Sequence, residues 1–179
     1  MKKVKIEELK DFSVKALEKS GVSHENAEII ADVLITTDTF GVLTHGTKNL
    51  GQYIDTMKAG GLDAAAEPSI VREGPAWAIV NGNKAAGMVS GYKAMKMAIQ
   101  KAKKVGIAYV GVKNSCHFGA AGFYANLAAK NISSCEWICP QSLRLPVHFF
   151  VMSIIARYSI FKRLSSVGNT LLFFVTFRS

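Results

Sequence analysis

The stretch Ala76-Trp77-Ala78-Ile79-Val80-Asn81-Gly82-Asn83 decides the fold class. It is a short apolar run closed by a turn signal, which predicts a strand. Residues 88–104 then place alanines and methionines at helical spacing, with Lys93, Lys96, Lys101, Lys103 and Lys104 largely on the other side. That pattern predicts an amphipathic helix. Ile107 to Val112 reads as a buried strand, Asn114 to Gly119 as a polar loop, and about Ala120 to Lys130 as a small-residue helix. Strand, helix, strand, helix is the order of a mixed α/β domain.

Upstream of that stretch the period is helical. Ile6, Leu9, Phe12, Ala16 and Leu17 predict an amphipathic helix over residues 5–20, ending at Gly21. Ser23 is placed to cap a second helix, with Glu25 in its first turn and Ala27, Ile30, Ala31 and Leu34 as its buried stripe. A third helix is expected from Thr47 to Lys58, with Leu50, Ile54 and Met57 inside and Gly60-Gly61 as its stop. The fold class is therefore α/β (mixed α+β). Residues 1–60 form a helical N-terminal region, residues 61–132 a partial α/β domain, and residues 133–179 a tail of different character.

Composition narrows the function classes. The 179 residues are 49% hydrophobic and 20% charged, which excludes a disordered or fibrous chain. Three cysteines do not make the disulfide framework of a secreted domain. Lysine and arginine number 22 against 13 acids, a net +9. Such a surplus suits an enzyme for acidic substrates as well as a binder of nucleic acid or anionic lipid. It is also uneven. Residues 131–179 hold Arg144, Arg157, Lys162, Arg163 and Arg178 against the single acid Glu136, together with six of the ten phenylalanines. Their apolar residues come in blunt runs, such as Phe149-Phe150-Val151-Met152 and Leu171 to Val175.

The competing class is a non-enzymatic basic module bound to nucleic acid or a membrane surface. The lysines of residues 88–104 lack the interleaved aromatics of a stacking platform, so they read as a solvated helix face. Leu145 to Phe161 is apolar but interrupted by Pro146, His148 and Arg157, and it is short of the ~20 residues a spanning helix needs. Met1-Lys2-Lys3 leads into an acidic amphipathic segment rather than an apolar one, so a cytoplasmic location is expected. Neither nucleic acid nor membrane is the expected partner.

Two segments hold the candidate chemistry. In Asp38 to Leu50, His45 stands between Thr44 and Gly46 just before a helix start, where free N–H groups favour a substrate carboxylate. Asn49 and Tyr53, four apart, share a face of that expected helix and point toward one ligand. In Asn114 to Gly122, His117 follows a strand and precedes a helix, and is the right residue type for proton transfer. G-x-G-x-x-G is absent, so this is no dinucleotide fingerprint. Cys116 as a thiolate nucleophile is disfavoured, because neighbours in an extended loop point apart. For metals, His24, His45, His117, His148, Cys135 and Cys139 are scattered, although Cys135 and Cys139 would face the same way on a helix. No metal is expected.

The spaced pattern Asp38–Gly41–His45–Gly46–Leu50–Tyr53 continues through Gly60-Gly61, Pro68, Asn81-Gly82, Gly87, Gly106-Ile107 and Ser115-x-His117-x-Gly119. On these residues, positions 5–130 resemble the amino-terminal part of the malate/L-lactate dehydrogenase family. These are 2-hydroxyacid dehydrogenases or 2-oxoacid reductases that use NAD or NADP without the usual Rossmann fold. The resemblance implies hydride transfer between a nicotinamide and the carbon bearing the oxygen of a small 2-oxo or 2-hydroxy acid. A histidine handles the proton on that oxygen, and both His45 and His117 stand at motif positions described as the acid/base. Thr44, Lys48, Asn49 and Tyr53 are the implied substrate-binding residues. Ser115, Gly119 and Ala120 are the implied cofactor contacts. A homodimer is implied for the full-length protein.

The sequence departs from the family in three ways. Thr44 stands where serine is frequent, and keeps the hydroxyl. Asn49 stands where many members have arginine, so a bidentate cation is missing and Lys48 is the substitute. Family members are roughly twice as long, as suits a chain with a full cofactor domain, and their Gly-Thr-Asn-Pro stretch has no counterpart here. The tail does not resemble the family, so a shifted reading frame or a truncated product, inactive or poorly folded alone, is expected. Family sequence should then appear in another frame within the next few hundred bases of downstream DNA; finding none in either frame would sink the frameshift.

Overall fold

Helices α1 (Ile6–Glu18) and α2 (His24–Thr39) open the chain and pack on one another. The computed structural model describes residues 4–131, 134–138 and 171–176. Ser23 is extended, and its side chain accepts the Asn26 N–H at 3.4 Å, which starts α2 where the sequence places it. Ala27, Ile30, Ala31 and Leu34 are all fully buried. The stripe on α1 is narrower than its apolar spacing suggests. Ser13, Val14 and Leu17 are buried, but Ile6 and Phe12 are exposed. One neighbouring helix covers only one line of side chains, so the outer members of the stripe stay in solvent. Lys10 ties the pair together at its edge, 2.8 Å from both Glu28 and Asp32.

Helix α3 (Leu50–Lys58) leads to strands β1 (Ser69–Gly74) and β2 (Trp77–Asn81), an antiparallel hairpin. β1 is a strand that the apolar pattern does not announce. It lies at the sheet edge and is exposed along most of its length, so nothing selects for alternation. Helix α4 (Gly87–Val105) then crosses to β3 (Ile107–Lys113), which pairs parallel with β2 from Trp77↔Tyr109 to Asn81↔Lys113. A parallel pair requires such a crossover, and α4 supplies it. Lys93 and Lys101 of the lysine face are half-buried rather than free. Lys93 pairs with Glu67 at 2.5 Å, and Lys101 with Glu73 at 2.8 Å, so they pin α4 to the segment before β1 and to β1 itself.

Helix α5 (Ala121–Ala129) and strands β4 (Ser134–Ile138) and β5 (Leu171–Thr176) complete the described elements. The sheet order is β1-β2-β3-β5-β4. β5 runs antiparallel to β3, from Ile107↔Thr176 to Val112↔Leu171, and β4 pairs outside it. The run Leu171 to Val175 lies in β5, where the free edge of β3 offers unpaired N–H and C=O groups to an extended segment. One expectation about the tail is corrected here. Cys135 lies in β4 and not on a helix, so a helical pairing with Cys139 falls away; Cys139 is outside the described residues. The apolar stretch 145–161 also lies outside them. Among the described residues no helix is long and apolar enough to cross a membrane.

Two cores result. One holds α1, α2 and α3 against Met88 and Val89 at the start of α4. The other holds Ala94, Met95, Ala98, Ile99 and Ala102 of α4 against β2, β3 and Tyr124 of α5. Leu34 belongs to the first and is fully buried. Leu34→Ala should therefore cost about 2–5 kcal/mol in urea unfolding, whereas Phe12→Ala on the exposed side of α1 should stay within about 0.5 kcal/mol.

Candidate functional site

The loop after α2 is folded back by one carboxylate. Asp38 Oδ2 accepts the Thr47 backbone N–H at 3.0 Å and the Thr47 hydroxyl at 2.5 Å. Gly46 between them is extended, and a Cβ there would run into the Asp38 carboxylate. Residues 43–49 accordingly form two 3₁₀ turns, Leu43–His45 and Thr47–Asn49, and α3 begins only at Leu50. The second turn runs straight into α3, so the chain is helical from Thr47 to Lys58 as expected, with a 3₁₀ first turn. Asp38 itself occupies the Thr47 N–H, one of the donors at that helix start. Asn49 is the last residue of the 3₁₀ turn, directly before α3. Its Nδ2 donates to the Thr44 carbonyl at 2.7 Å and closes the first turn. His45 is half-exposed, with Nδ1 2.9 Å from the Thr44 hydroxyl. Lys48 is exposed on the second turn.

The second loop leaves β3 at Asn114, which takes a positive φ of 51°. It then presses against the start of α4. The Gly87 N–H donates to Cys116 Sγ at 3.0 Å, and a Cβ on Gly87 would collide with the Cys116 and His117 carbonyls. Only glycine lets the two backbones approach this closely. The Cys116 thiol donates in turn to the Ala85 carbonyl at 3.5 Å. Burial pushes that thiol above its ordinary pKa, which agrees with reading it as packing rather than as a nucleophile. Ser115 is buried, and its hydroxyl has no hydrogen-bond partner among the described residues. Gly119 lies beside Val33, and Ala120 caps α5.

These two constraints bring His45 and His117 together. Their ring centroids are 5.3 Å apart at an interplanar angle of 34°. Tyr53 of α3 joins them, with its hydroxyl 2.5 Å from His117 Nδ1 and its ring 6.1 Å from the His117 ring. The Gly119 N–H reaches the same Nδ1 at 3.4 Å. Desolvation lowers the His117 pKa below 6.5, and the nearby His45 lowers it further. Burial, and then Cys116, pushes Tyr53 up to about 12. At neutral pH the pair is thus a neutral imidazole bonded to a neutral phenol, beside a second, half-exposed imidazole. Two such rings suit one reacting oxygen: one can exchange its proton while the other holds it. Among the described residues no three His, Cys, Asp or Glu side chains converge to hold a metal.

Of the residues singled out in the sequence, His45, His117, Tyr53 and Thr44 are linked by these contacts, and Asn49 joins through Thr44. Ser115, Gly119 and Ala120 lie on the His117 loop. Asp38, Gly46 and Gly87 shape the site without having been assigned a role. Their signal was the recurrence of aspartate and glycine around each histidine, which marks backbone demands rather than chemistry. Gly87→Ala should lower the melting temperature, at a cost of about 1–3 kcal/mol for overpacking. Gly51→Ala, where the added Cβ meets nothing within 4 Å, should raise stability by up to about 1 kcal/mol on helix propensity.

The sequence profile of the malate/L-lactate dehydrogenase family matches residues 4–133. The chain is 46% identical over 124 residues to a malate dehydrogenase of Pyrococcus abyssi, covering 69% of this chain and 34% of that one. It is 41% identical over 125 residues to a malate/(S)-sulfolactate dehydrogenase of Methanothermus fervidus, covering 70% and 37%. The crystal structure of a malate dehydrogenase from Entamoeba histolytica superposes with a TM-score of 0.71 at 44% identity, covering 73% of this chain and 36% of that one. The chain thus spans about a third of the length of the relatives it matches. With its paired histidines held on the family's mixed α/β scaffold, the chain belongs to the malate/L-lactate dehydrogenase family.

Proposed function

We propose that this chain carries the substrate side of an NAD(P)-dependent oxidoreductase acting on a small 2-hydroxy or 2-oxo acid, of the malate, lactate or sulfolactate kind. The observation that carries this reading is the 5.3 Å separation of the His45 and His117 rings. It offers two imidazoles to one substrate oxygen. In this reading Thr44 and Tyr53 orient the histidines and border the substrate. Asn49 holds the His45 turn closed, and Lys48 is the exposed cation available to an acid group. A lysine is a point charge rather than a fork, so it suits a sulfonate as readily as a carboxylate.

For a nicotinamide, the residues present fit in kind. Ser115 supplies a buried hydroxyl without a partner among the described residues, and Gly119 and Ala120 present small residues on the His117 loop. These neutral groups suit a carboxamide edge. The bound cofactor would supply or accept the hydride; the histidines handle the proton. The same reading has the protein working as a cytoplasmic homodimer. It also has residues 1–179 alone turning over slowly, since they correspond to about a third of each relative.

Binding tests this reading without requiring turnover. Titrating the purified chain with malate or lactate in a calorimeter should give saturable binding. His45→Ala and His117→Ala should each weaken it about ten- to a hundred-fold, the loss expected of a hydrogen bond to a charged ligand. No binding of any 2-hydroxy or 2-oxo acid, or binding indifferent to both substitutions, would overturn it.

A further inference from the structure

Asp38 breaks a local rule where it stands. It lies in the last turn of α2, which holds no basic residue. A helix C-terminus carries partial negative charge, so an acid in that turn is locally unfavourable. A residue that breaks a local rule without local gain marks a tertiary or functional demand. Both carboxylate oxygens show the demand. Oδ2 accepts the Thr47 N–H at 3.0 Å and the Thr47 hydroxyl at 2.5 Å. Oδ1 lies against the buried Gly46, where a Cβ would have no room. Gly46 is extended, with a φ of −94° that other residues adopt, so space and not backbone freedom requires the glycine. The carboxylate therefore grips the backbone just after His45. Its hydrogen bonds go to Thr47 and to neither histidine ring.

We propose that Asp38 is a positioning residue of the site, whose grip on Thr47 sets how closely the His45 ring stands to His117. The inference rests on the oxidoreductase reading above, which gives the ring pair its task. One substrate oxygen can meet both rings only while they stay near one another, and their centroids are 5.3 Å apart. The Thr44 hydroxyl also meets the His45 ring, at 2.9 Å, and Asn49 closes that turn. Both belong to the same loop and move with it. Asp38 ties the loop to α2, which is anchored in the helical core. The arrangement contains its own reporter. The titratable groups facing His117 are His45 from the first 3₁₀ turn, Tyr53 from α3 and Cys116 beside it. Desolvation and then His45 lower the His117 pKa. A His45 ring that swings away takes its share of that lowering with it, so His117 rises. Loss of the Asp38 negative charge acts the other way, because an anion favours the imidazolium form. The sign of the change separates a positioning role from a charge role.

The test is an NMR pH titration of the histidines of residues 1–179, with His117→Asn identifying the His117 signals. Asp38→Ala should raise the His117 pKa toward the ordinary 6.5. The rise should vanish in a His45→Ala background, where the positioned ring is absent. Asp38→Asn keeps an oxygen for Thr47 and should titrate as the wild type does. If Asp38→Ala does not fold, Thr47→Val carries the test. It keeps the carboxylate, removes one of its two bonds, and should shift His117 in the same upward direction. A fall or no change in the folded variant overturns the proposal. So does a rise that persists without His45, which is the mark of a merely loosened loop. An Asp38→Asn protein shifted as far as Asp38→Ala overturns it as well. No substrate or cofactor enters the titration. A wrong sign therefore refutes the positioning role while leaving the oxidoreductase reading intact, and absent acid binding refutes that reading while leaving the titration standing.

Discussion

Helix α4 starts against the backbone of Cys116 and His117, at a distance that leaves room for nothing larger than hydrogen on Gly87. The rest of the site depends on this approach. The first turn of α4 packs into the helical core through Met88 and Val89, and its later turns pack on β2 and β3. Pressing the His117 loop onto the junction fixes it relative to both cores at once. The Gly87 N–H, an orphan donor at a helix start, is satisfied by Cys116 Sγ, so the approach closes without leaving that polar group unpaired.

A second constraint delivers His45 to the same place. Asp38 reaches across its own loop to the backbone and hydroxyl of Thr47. A carboxylate there does what an external anion would otherwise do, and it holds two 3₁₀ turns that an unbroken helix would not allow. His45 is left half in solvent beside His117, while Tyr53, which bonds to the same ring, is buried. Rings only 5.3 Å apart do not readily carry charge together, and His45 follows partial desolvation as the second cause that lowers the His117 pKa.

Much of the framework was legible in the residues. Ala27, Ile30, Ala31 and Leu34 repeat at the helical period because one face of α2 is wholly buried, and the structure buries all four. The strand–helix–strand order of residues 76–112 survives as β2, α4 and β3, since period and turn residues are local signals. The exceptions share a cause. β1 is exposed at the sheet edge and carries no alternation. Phe12 fits the helical stripe yet lies in solvent, because no second neighbour among the described residues covers that side of α1. The helix expected from Thr47 does start there, but its first turn is 3₁₀, and Asp38, nine positions earlier, bonds across the loop to its first N–H.

The residues by themselves determined the element types, the two histidine segments and their likeness to one family of dehydrogenases. These follow from spacing along the chain and from motifs short enough to be read locally. The tertiary structure decided that the two segments form one site, that Asn49 closes the Thr44 turn, and that Tyr53 hydrogen-bonds to His117. That last bond joins residues 64 positions apart and is shared with the backbone of a loop glycine. Which groups meet is set by what converges in space, and no period or motif along the chain encodes that convergence.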